Sequence, residues 1–373
     1  MEFKHLPTPC YVLDEGKLTC NLAILKQVQD NTGCKILLAQ KAFSMFAEYP
    51  LMRKYLSGTT ASSLYEARLG AEEMGGETHI FSPAYKDSEF DEIASYCEHI
   101  VFNSFTQLEK FRGRCGSTSI GLRINPECST QDHAIYDPCT PGSRLGITAG
   151  NFRPELLDGV EGLHFHTLCE QDADALAVTL AAVEAKFGKW LPQIKWINFG
   201  GGHHITRPGY NIPLLEKCIR HMQEKYGLEV YLEPGEAVAL NAGYLITEVL
   251  DIVENSGVTN LILDSSAACH NPDVLEMPLR PLLDGSGQPE EKAYTYRLSS
   301  CTCLAGDIFG DYSFDYPVGI GDRLRFNNMA IYSMVKNNTF NGIPLPAIAA
   351  MAEDGSCRII KSFGYDDFKC RLS

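Results

Sequence analysis

The stretch "KILLAQKAFS" at residues 35–44 sets a lysine at the end of an apolar run. Ile36, Leu37, Leu38 and Ala39 have the unbroken hydrophobic pattern of a strand covered on both faces, as in a parallel sheet. Lys41 stands just beyond that run, followed by Ala42, Phe43 and Ser44 and then by a helical pattern. A lysine in this place reads either as a solvated strand end or as a desolvated amine held for Schiff-base chemistry. The rest of the chain decides between the two.

Seven further runs of the same kind follow as far as about residue 235: "GTTASS", "THIFSP", "HIVFNS", "SIGLRINP", "GLHFHT", "WINFGGG" and "EVYLEPG". Amphipathic stretches separate them. In "SSLYEARLGAEEMG", Leu64, Ala67, Leu69 and Ala71 mark a helical face, and "DADALAVTLAAVEAKFGKW" reads likewise. Eight strands alternating with helices over about 200 residues match the size of a (β/α)8 barrel. A doubly wound sheet is the competing architecture and needs fewer strands in this length.

The texture changes after residue 243. "YLITEVLDIVEN", "NLILDSS", "AYTYRLSS", "DRLRFNNMAIYSM" and "CRIIKSFG" are strand-like and joined by Gly, Pro and Asp turns. The expected organisation is an α/β barrel over residues 16–243 and a C-terminal β domain over 244–373. "PCYVLD", within residues 1–15, adds a strand to the β domain.

Composition narrows the function. The chain has 373 residues and a net charge of −15, which disfavours nucleic acid or an anionic membrane as partner and permits a cationic ligand. No leader-like segment and no membrane-span-length apolar run is visible, so a cytoplasmic protein is expected. The 14 cysteines lack CxxC pairs or zinc-finger histidine partners and read as reduced thiols, with no metal site. Cys301 and Cys303, in "SCTCLAGD", are the only close pair.

In a barrel, functional side chains collect at the C-terminal ends of the strands. Here those ends carry Lys41, Arg123, His166, the Gly200–Gly201–Gly202–His203 run and Glu233. Glycines at Gly200, Gly201 and Gly202 let backbone amides approach a phosphate, although a tight turn needs glycine too. Glu233 could pair with a pyridinium nitrogen, a contact worth about 4 kcal/mol at about 4 Å and an effective dielectric near 20. His166 alternates with Phe165 and points inward with His164; whether it serves the core or the chemistry stays open. Lysine, carboxylate, glycine turn and flat imidazole together describe a pyridoxal 5'-phosphate site.

The order "AQKA", "HFHT", "NFGGG", "EPGE", "CTCLAGD", "AIYSMVKNNTFNG" resembles the fold-type III pyridoxal phosphate decarboxylases. That group includes alanine racemase-like barrels, ornithine decarboxylase and diaminopimelate decarboxylase. Within it, "AQKAFS", "GTTASSLYEARLG", "GGGHHIT", "LEPGEA" and "NPDVLEMPLRP" are similar to the carboxynorspermidine/carboxyspermidine decarboxylases. The resemblance implies that Lys41 binds the cofactor covalently and that His166 stacks on its ring. It implies that Gly200–Gly202 and the Tyr332 hydroxyl hold the phosphate and that Glu233 meets the pyridine nitrogen. Cys303 would be the proton donor, supplied by the neighbouring subunit of a homodimer. The implied reaction releases CO2 from a carboxy-triamine in polyamine (norspermidine or spermidine) biosynthesis.

Two departures bear on the substrate. Diaminopimelate decarboxylases usually carry arginine after "EPG" and Cys-Glu-Ser around the catalytic cysteine; here Glu236 follows "EPG", and Leu304 and Ala305 follow Cys303. A distal substrate carboxylate near Glu236 would meet repulsion of about 4 kcal/mol at about 4 Å, whereas a distal ammonium would gain. Glu236 and Asp273 are the expected readers of a cationic tail, and Asp307, closing "CTCLAGD", joins them as a substrate-binding candidate. The alternatives are a diaminopimelate- or ornithine-type decarboxylase of the same fold, or a non-catalytic homologue that binds the cofactor.

Overall fold

A computed structural model describes residues 3–131, 134–277 and 279–373. Its contacts divide the chain into two compact units, Cys20–Val238 and Ala239–Ser373 with the residues up to Thr19. Both architectures expected from the sequence are present.

The first unit is a closed barrel of eight parallel strands, each paired with the next. Following β1 (Cys10–Asp14) of the other unit and an 18-residue helix, Glu15–Thr32, the barrel begins with β2 (Lys35–Ala39) and β3 (Gly58–Ala61). It continues through β4 (Glu77–Phe81), β5 (His99–Phe102), β6 (Ser119–Arg123) and β7 (Gly162–His164). The last strands are β8 (Trp196–Asn198) and β9 (Glu229–Leu232), and β9 closes on β2 through the pairs Lys35↔Tyr231 and Ile36↔Leu232. The strands are apolar because the barrel interior lies on one face and helices on the other. Ile36, Leu37 and Leu38 are fully buried, each contributing about 1.5–3 kcal/mol. Helices Ala173–Phe187 and Ile212–Tyr226 bury stripes of Leu176, Leu180 and Val183, and of Leu215, Ile219 and Met222.

The expected face of the "SSLYEARLG" helix shifts. Leu64, Ala67, Gly70 and Met74 are buried, whereas Leu69 and Ala71 are half-buried. The α-helix Leu64–Leu69 passes into a π-helical turn, Gly70–Met74, which rotates the stripe.

The lower interior of the barrel is aromatic. Trp196 packs with Leu37, Val101 and Tyr231, and its ring fills the space a side chain on Gly162 would occupy, 2.0 Å from that position.

The second unit is an eight-stranded mixed sheet. Besides β1 it contains β10 (Gly243–Asn255), β11 (Val258–Leu263), β12 (Tyr294–Ser300) and β13 (Ile308–Phe314). β14 (Arg323–Asn327), β15 (Ala347–Met351) and β16 (Cys357–Lys361) complete it. The order is β13-β12-β11-β10-β1-β15-β16, with β14 also pairing β10. β1 alternates between two cores: Tyr11 joins Leu245, Phe309 and Phe326, while Cys10 and Val12 join Tyr244, Ile246 and Ala349. The sequence reading missed β13 and β15. It also ran a strand through residues 322–334, where only Arg323–Asn327 is extended and a one-turn helix, Ser333–Lys336, follows. All 14 cysteines are free thiols. No helix among the described residues is long and apolar enough to cross a membrane.

Candidate active site

Lys41 is set by the residues just before it. The Gln40 N–H donates to the Thr60 carbonyl at 3.2 Å, continuing the β2–β3 ladder past the strand, and the Ala42 N–H turns back to the Ala39 carbonyl at 3.1 Å. The buried Gln40 side chain is gripped by Tyr49, whose hydroxyl donates at 3.1 Å, and donates to the Glu66 carbonyl at 2.7 Å. Lys41 therefore projects into a cavity of about 200 Å³ lined by Thr60, Phe81, Arg123, His164, His166 and Glu233, among others. Its side chain is exposed to that cavity while protein surrounds the amine on most sides. This desolvation, then the charge of Arg123, lowers the pKa of Lys41 below the ordinary lysine value.

Glu233 leaves the end of β9 and is 6% exposed. Asn198 Nδ2 donates to one carboxylate oxygen at 2.8 Å, and His164 Nε2 lies 3.0 Å from the other. Burial alone would raise its pKa, but His164 first, with further help from His79 and Thr60, outweighs burial and brings it down to about 2. The carboxylate is thus held ionised in the barrel interior. Arg123, from β6, lies over the Phe81 ring at 4.4 Å and donates to the His166 carbonyl at 3.1 Å. Burial lowers its pKa to about 10, with Glu233 opposing.

His166 and the glycine turn form one unit. Gly200 and Gly202 have φ of +68° and +82°. A Cβ on them would fall 2.3 Å from the Phe165 carbonyl oxygen and 1.9 Å from that of Leu168, so only glycine lets the two chains run this close. At this approach Gly201 N–H donates to His166 Nδ1 at 3.2 Å. That bond leaves the hydrogen of a neutral ring on Nε2 and fixes its plane. Burial, then Lys41, lowers the pKa of His166 well below the usual value, which keeps the ring neutral. The Gly200 amide is engaged by Asn198 Oδ1 at 2.8 Å. The Gly202 N–H makes no hydrogen bond among the described residues.

Lys41, His166, Gly200–Gly202 and Glu233 are therefore brought together at one end of the barrel. Glu236 stands on the same rim as the first residue of the helix Glu236–Ala239. Sequence reasoning passed over Thr60 and Asn198; a scan of every strand end would have raised Asn198.

The other candidates lie in the sheet unit. Cys303 is exposed in the turn between β12 and β13, and its N–H donates to Asn341 Oδ1 at 2.8 Å. Asp307, 2% exposed, accepts from the Ser266 hydroxyl at 2.6 Å, the Ala268 N–H at 3.0 Å and the Thr302 hydroxyl. Three internal donors thus engage its two oxygens, and the pattern ties the Cys303 turn to the helix Ala267–His270. Asp273 opens the one-turn helix Asp273–Glu276 and pairs with Lys336, which Glu276 also contacts at 2.9 Å. Tyr332 holds φ +54°, a left-handed conformation uncommon outside glycine.

Glu77, His79 and His99, in the lower barrel, bring potential metal-ligand atoms within 4.8 Å of one another. Glu77 is paired with Lys35, and the two imidazoles stack with centroids 3.9 Å apart and planes 12° from parallel. Stacked rings direct their in-plane lone pairs alongside each other rather than at one ion.

The family described as "Pyridoxal-dependent decarboxylase, C-terminal sheet domain" matches residues 10–330. A carboxynorspermidine/carboxyspermidine decarboxylase of Campylobacter jejuni is 43% identical over 100% of both chains. A carboxyaminopropylagmatine decarboxylase of Synechocystis is 42% identical over 98% of this chain and 96% of its own. The crystal structure of the Campylobacter jejuni carboxynorspermidine decarboxylase complexed with norspermidine is 42% identical, with a TM-score of 0.93 over 98% of this chain and 100% of that one.

Proposed function

We infer the function of this chain from its kinship: it belongs to the pyridoxal-dependent decarboxylase family. We propose that it acts on carboxynorspermidine or carboxyspermidine, releasing CO2 and norspermidine or spermidine. What supports the substrate class is Glu236, which opens the helix after the β9 exit: a carboxylate there would repel a distal carboxylate and draw in an amine. The full-length similarity to a carboxynorspermidine/carboxyspermidine decarboxylase supports the same reading.

The donor set fits pyridoxal phosphate: a lysine of lowered pKa, a carboxylate held ionised, a neutral imidazole of fixed plane and a turn built of glycine. In this reading Lys41, His166, Gly200–Gly202, Glu233 and Tyr332 would hold the group. When bound it supplies an electron sink for the electrons left by the departing carboxylate. Lys41 presents an amine more of which is unprotonated at neutral pH, as covalent attachment requires. Glu233, kept ionised chiefly by His164 and held in place by Asn198, keeps an acceptor for a ring N–H. Cys303 returns a proton to the carbon that lost CO2, acting from the second copy of a homodimer. Asp307, with three donors on it, shapes the turn that carries Cys303, and a substrate contact there would use its remaining acceptor position. Glu236 and Asp273 take ammonium groups of the tail; at Asp273 the substrate must displace Lys336. The 14 free thiols support a reducing, cytoplasmic setting.

A second reading is carboxyaminopropylagmatine as substrate, because the Synechocystis relative is 42% identical beside 43% for the Campylobacter one, and a guanidinium also suits an acidic rim. CO2 release from carboxynorspermidine, carboxyspermidine, carboxyaminopropylagmatine, diaminopimelate and ornithine separates the readings. The expected order puts the first two ahead by kcat/KM; faster release from diaminopimelate or ornithine would refute the proposal.

A further inference from the structure

The turn that carries Cys303 is held at its base and at its tip by different elements. At the base, where β12 gives way to β13, Ser300 N–H donates to the Asp307 carbonyl at 3.1 Å and Asp307 N–H to the Leu304 carbonyl at 2.9 Å. The Asp307 carboxylate fastens this base to the helix Ala267–His270 by accepting the Ala268 N–H. At the tip, the Cys303 N–H donates to Asn341 Oδ1 at 2.8 Å, 38 residues further along the chain.

Asn341 is itself tied back to the same helix. Asn338 N–H donates to the Cys269 carbonyl at 2.9 Å and Asn338 Nδ2 to the Ala268 carbonyl at 2.9 Å, while Asn338 Oδ1 accepts the Phe340 N–H at 2.9 Å. The chain then turns at Asn341, with φ +60° and ψ 8°, in the left-handed region that glycine, asparagine and aspartate tolerate best. The helix Ala267–His270 is thus a common post for two turns, and the bond from Cys303 to Asn341 joins them at their tips. A residue at this point has to enter the left-handed region and also offer an acceptor. Asparagine does both without adding charge; glycine does only the first.

We propose that Asn341 is a positioning residue for Cys303, fixing the backbone from which the thiol reaches the carbon that lost CO2. The inference rests on the reading of Cys303 as proton donor given above. In that step the thiol S–H bond breaks and a C–H bond forms with the electron pair left by the departing CO2; the thiolate then takes a proton back from water. Such a transfer is sensitive to placement, and a displacement of about 1 Å can cost about 10²-fold. Cys303, Leu304, Ala305 and Gly306 are exposed, so within one copy packing does not fix the tip of the turn and a hydrogen bond has to. Asn341 is exposed too, and its replacement costs the fold little. Positioning and stability can therefore be told apart.

The test compares Asn341→Gly, which keeps the left-handed turn and removes the acceptor, with Asn341→Asp, which keeps both. Rates are taken on the holoenzyme with whichever substrate of the panel it decarboxylates fastest. Asn341→Gly is expected to lower kcat about 10- to 100-fold without raising KM. Its cofactor affinity, read from the visible absorbance of bound pyridoxal phosphate, should stay near wild type. Asn341→Asp should recover most of the rate. Added to Cys303→Ala, Asn341→Gly should cost no more than about twofold further, because residues acting through one thiol are not additive. Hydrogen exchange followed by mass spectrometry reads the bond without turnover: Asn341→Gly should speed exchange in residues 301–307, and Asn341→Asp should restore it. Wild-type kcat or wild-type exchange in Asn341→Gly overturns the proposal, as does an equal fractional loss with and without the Cys303 thiol. Failure of the donor reading looks different: Cys303→Ala itself would decarboxylate at the wild-type rate, and the positioning role would fall with it.

Discussion

Asn198→Asp should convert the clamp on Glu233 into a repulsive pair. The substitution is nearly isosteric and keeps an oxygen for the Gly200 N–H, but it replaces the amide that donates to Glu233 at 2.8 Å by a second carboxylate. Two ionised carboxylates at that distance repel by about 6 kcal/mol at an effective dielectric near 20. Placing a proton on one of them at pH 7, against an ordinary pKa near 4, costs about 4 kcal/mol. The folded variant takes the cheaper course and binds a proton, so about 4 kcal/mol is the expected loss of stability at pH 7. Its pH dependence has a definite sign. In the wild type the Glu233 pKa is depressed from 4.5 to about 2, so its contribution of about 3 kcal/mol is present above pH 4.5 and lost as pH falls towards 2. In the variant the pair's folded pKa is raised, so the penalty is absent below about pH 4 and grows by about 1.4 kcal/mol per pH unit above it. Urea unfolding of both proteins between about pH 4.5 and about pH 7.5 measures the difference. Glu233→Gln in the same background should remove most of the penalty, since an amide again faces a carboxylate. A penalty independent of pH, or undiminished by Glu233→Gln, would refute the clamp.

Lys41→Ala should abolish the visible absorbance of covalently held pyridoxal phosphate together with decarboxylation; retention of both removes Lys41 from the site. Cys303→Ala should slow product formation about 10²- to 10⁴-fold while cofactor affinity stays near wild type, because a placed acid contributes on that scale. Verified mixed dimers of Cys303→Ala and Lys41→Ala subunits should regain part of the activity, and no recovery would count against sites shared between copies. Asp273→Asn should raise KM for carboxynorspermidine about tenfold with modest loss of kcat, the pattern of uniform binding; an unchanged KM leaves Asp273 as the partner of Lys336 alone.

The barrel was legible because each of its strands is buried on both faces, so a short apolar run bounded by glycine or polar residues is an undiluted signal. β15, "AIAAM", lacked that signal: alanine has little strand preference, and the segment is extended because β1 and β16 flank it. β13 was hidden by Gly310 and Asp311 in its middle, where Gly310 takes φ +137° and the pairing with β12 slips. The run over residues 322–334 was read as too long a strand because its apolar residues continue past Asn327. Asn328, at φ +58°, turns the chain out of the sheet there.

The site divides along the same physical line. Lys41, His166 and Glu233 could be picked out because a strand's C-terminal end is a position the sequence itself marks, whereas Glu236 was reached through the departure from the diaminopimelate decarboxylase pattern. What acts on them could not, because each grip crosses between elements far apart in the chain: Asn198 of β8 on Glu233 beyond β9, the Glu66 carbonyl on Gln40 before Lys41. The glycine run shows how one motif carries more than one meaning. Read alone, Gly200–Gly202 suggested either a phosphate cradle or a tight turn. In the fold the close approach at Gly200 and Gly202 lays the exits of β7 and β8 against each other. That contact lets Gly201 orient His166 and lets Gln171 bridge to Gly202. Of the three glycine amides, that of Gly202 alone makes no hydrogen bond among the described residues, and the glycines also serve the side chains they bring together.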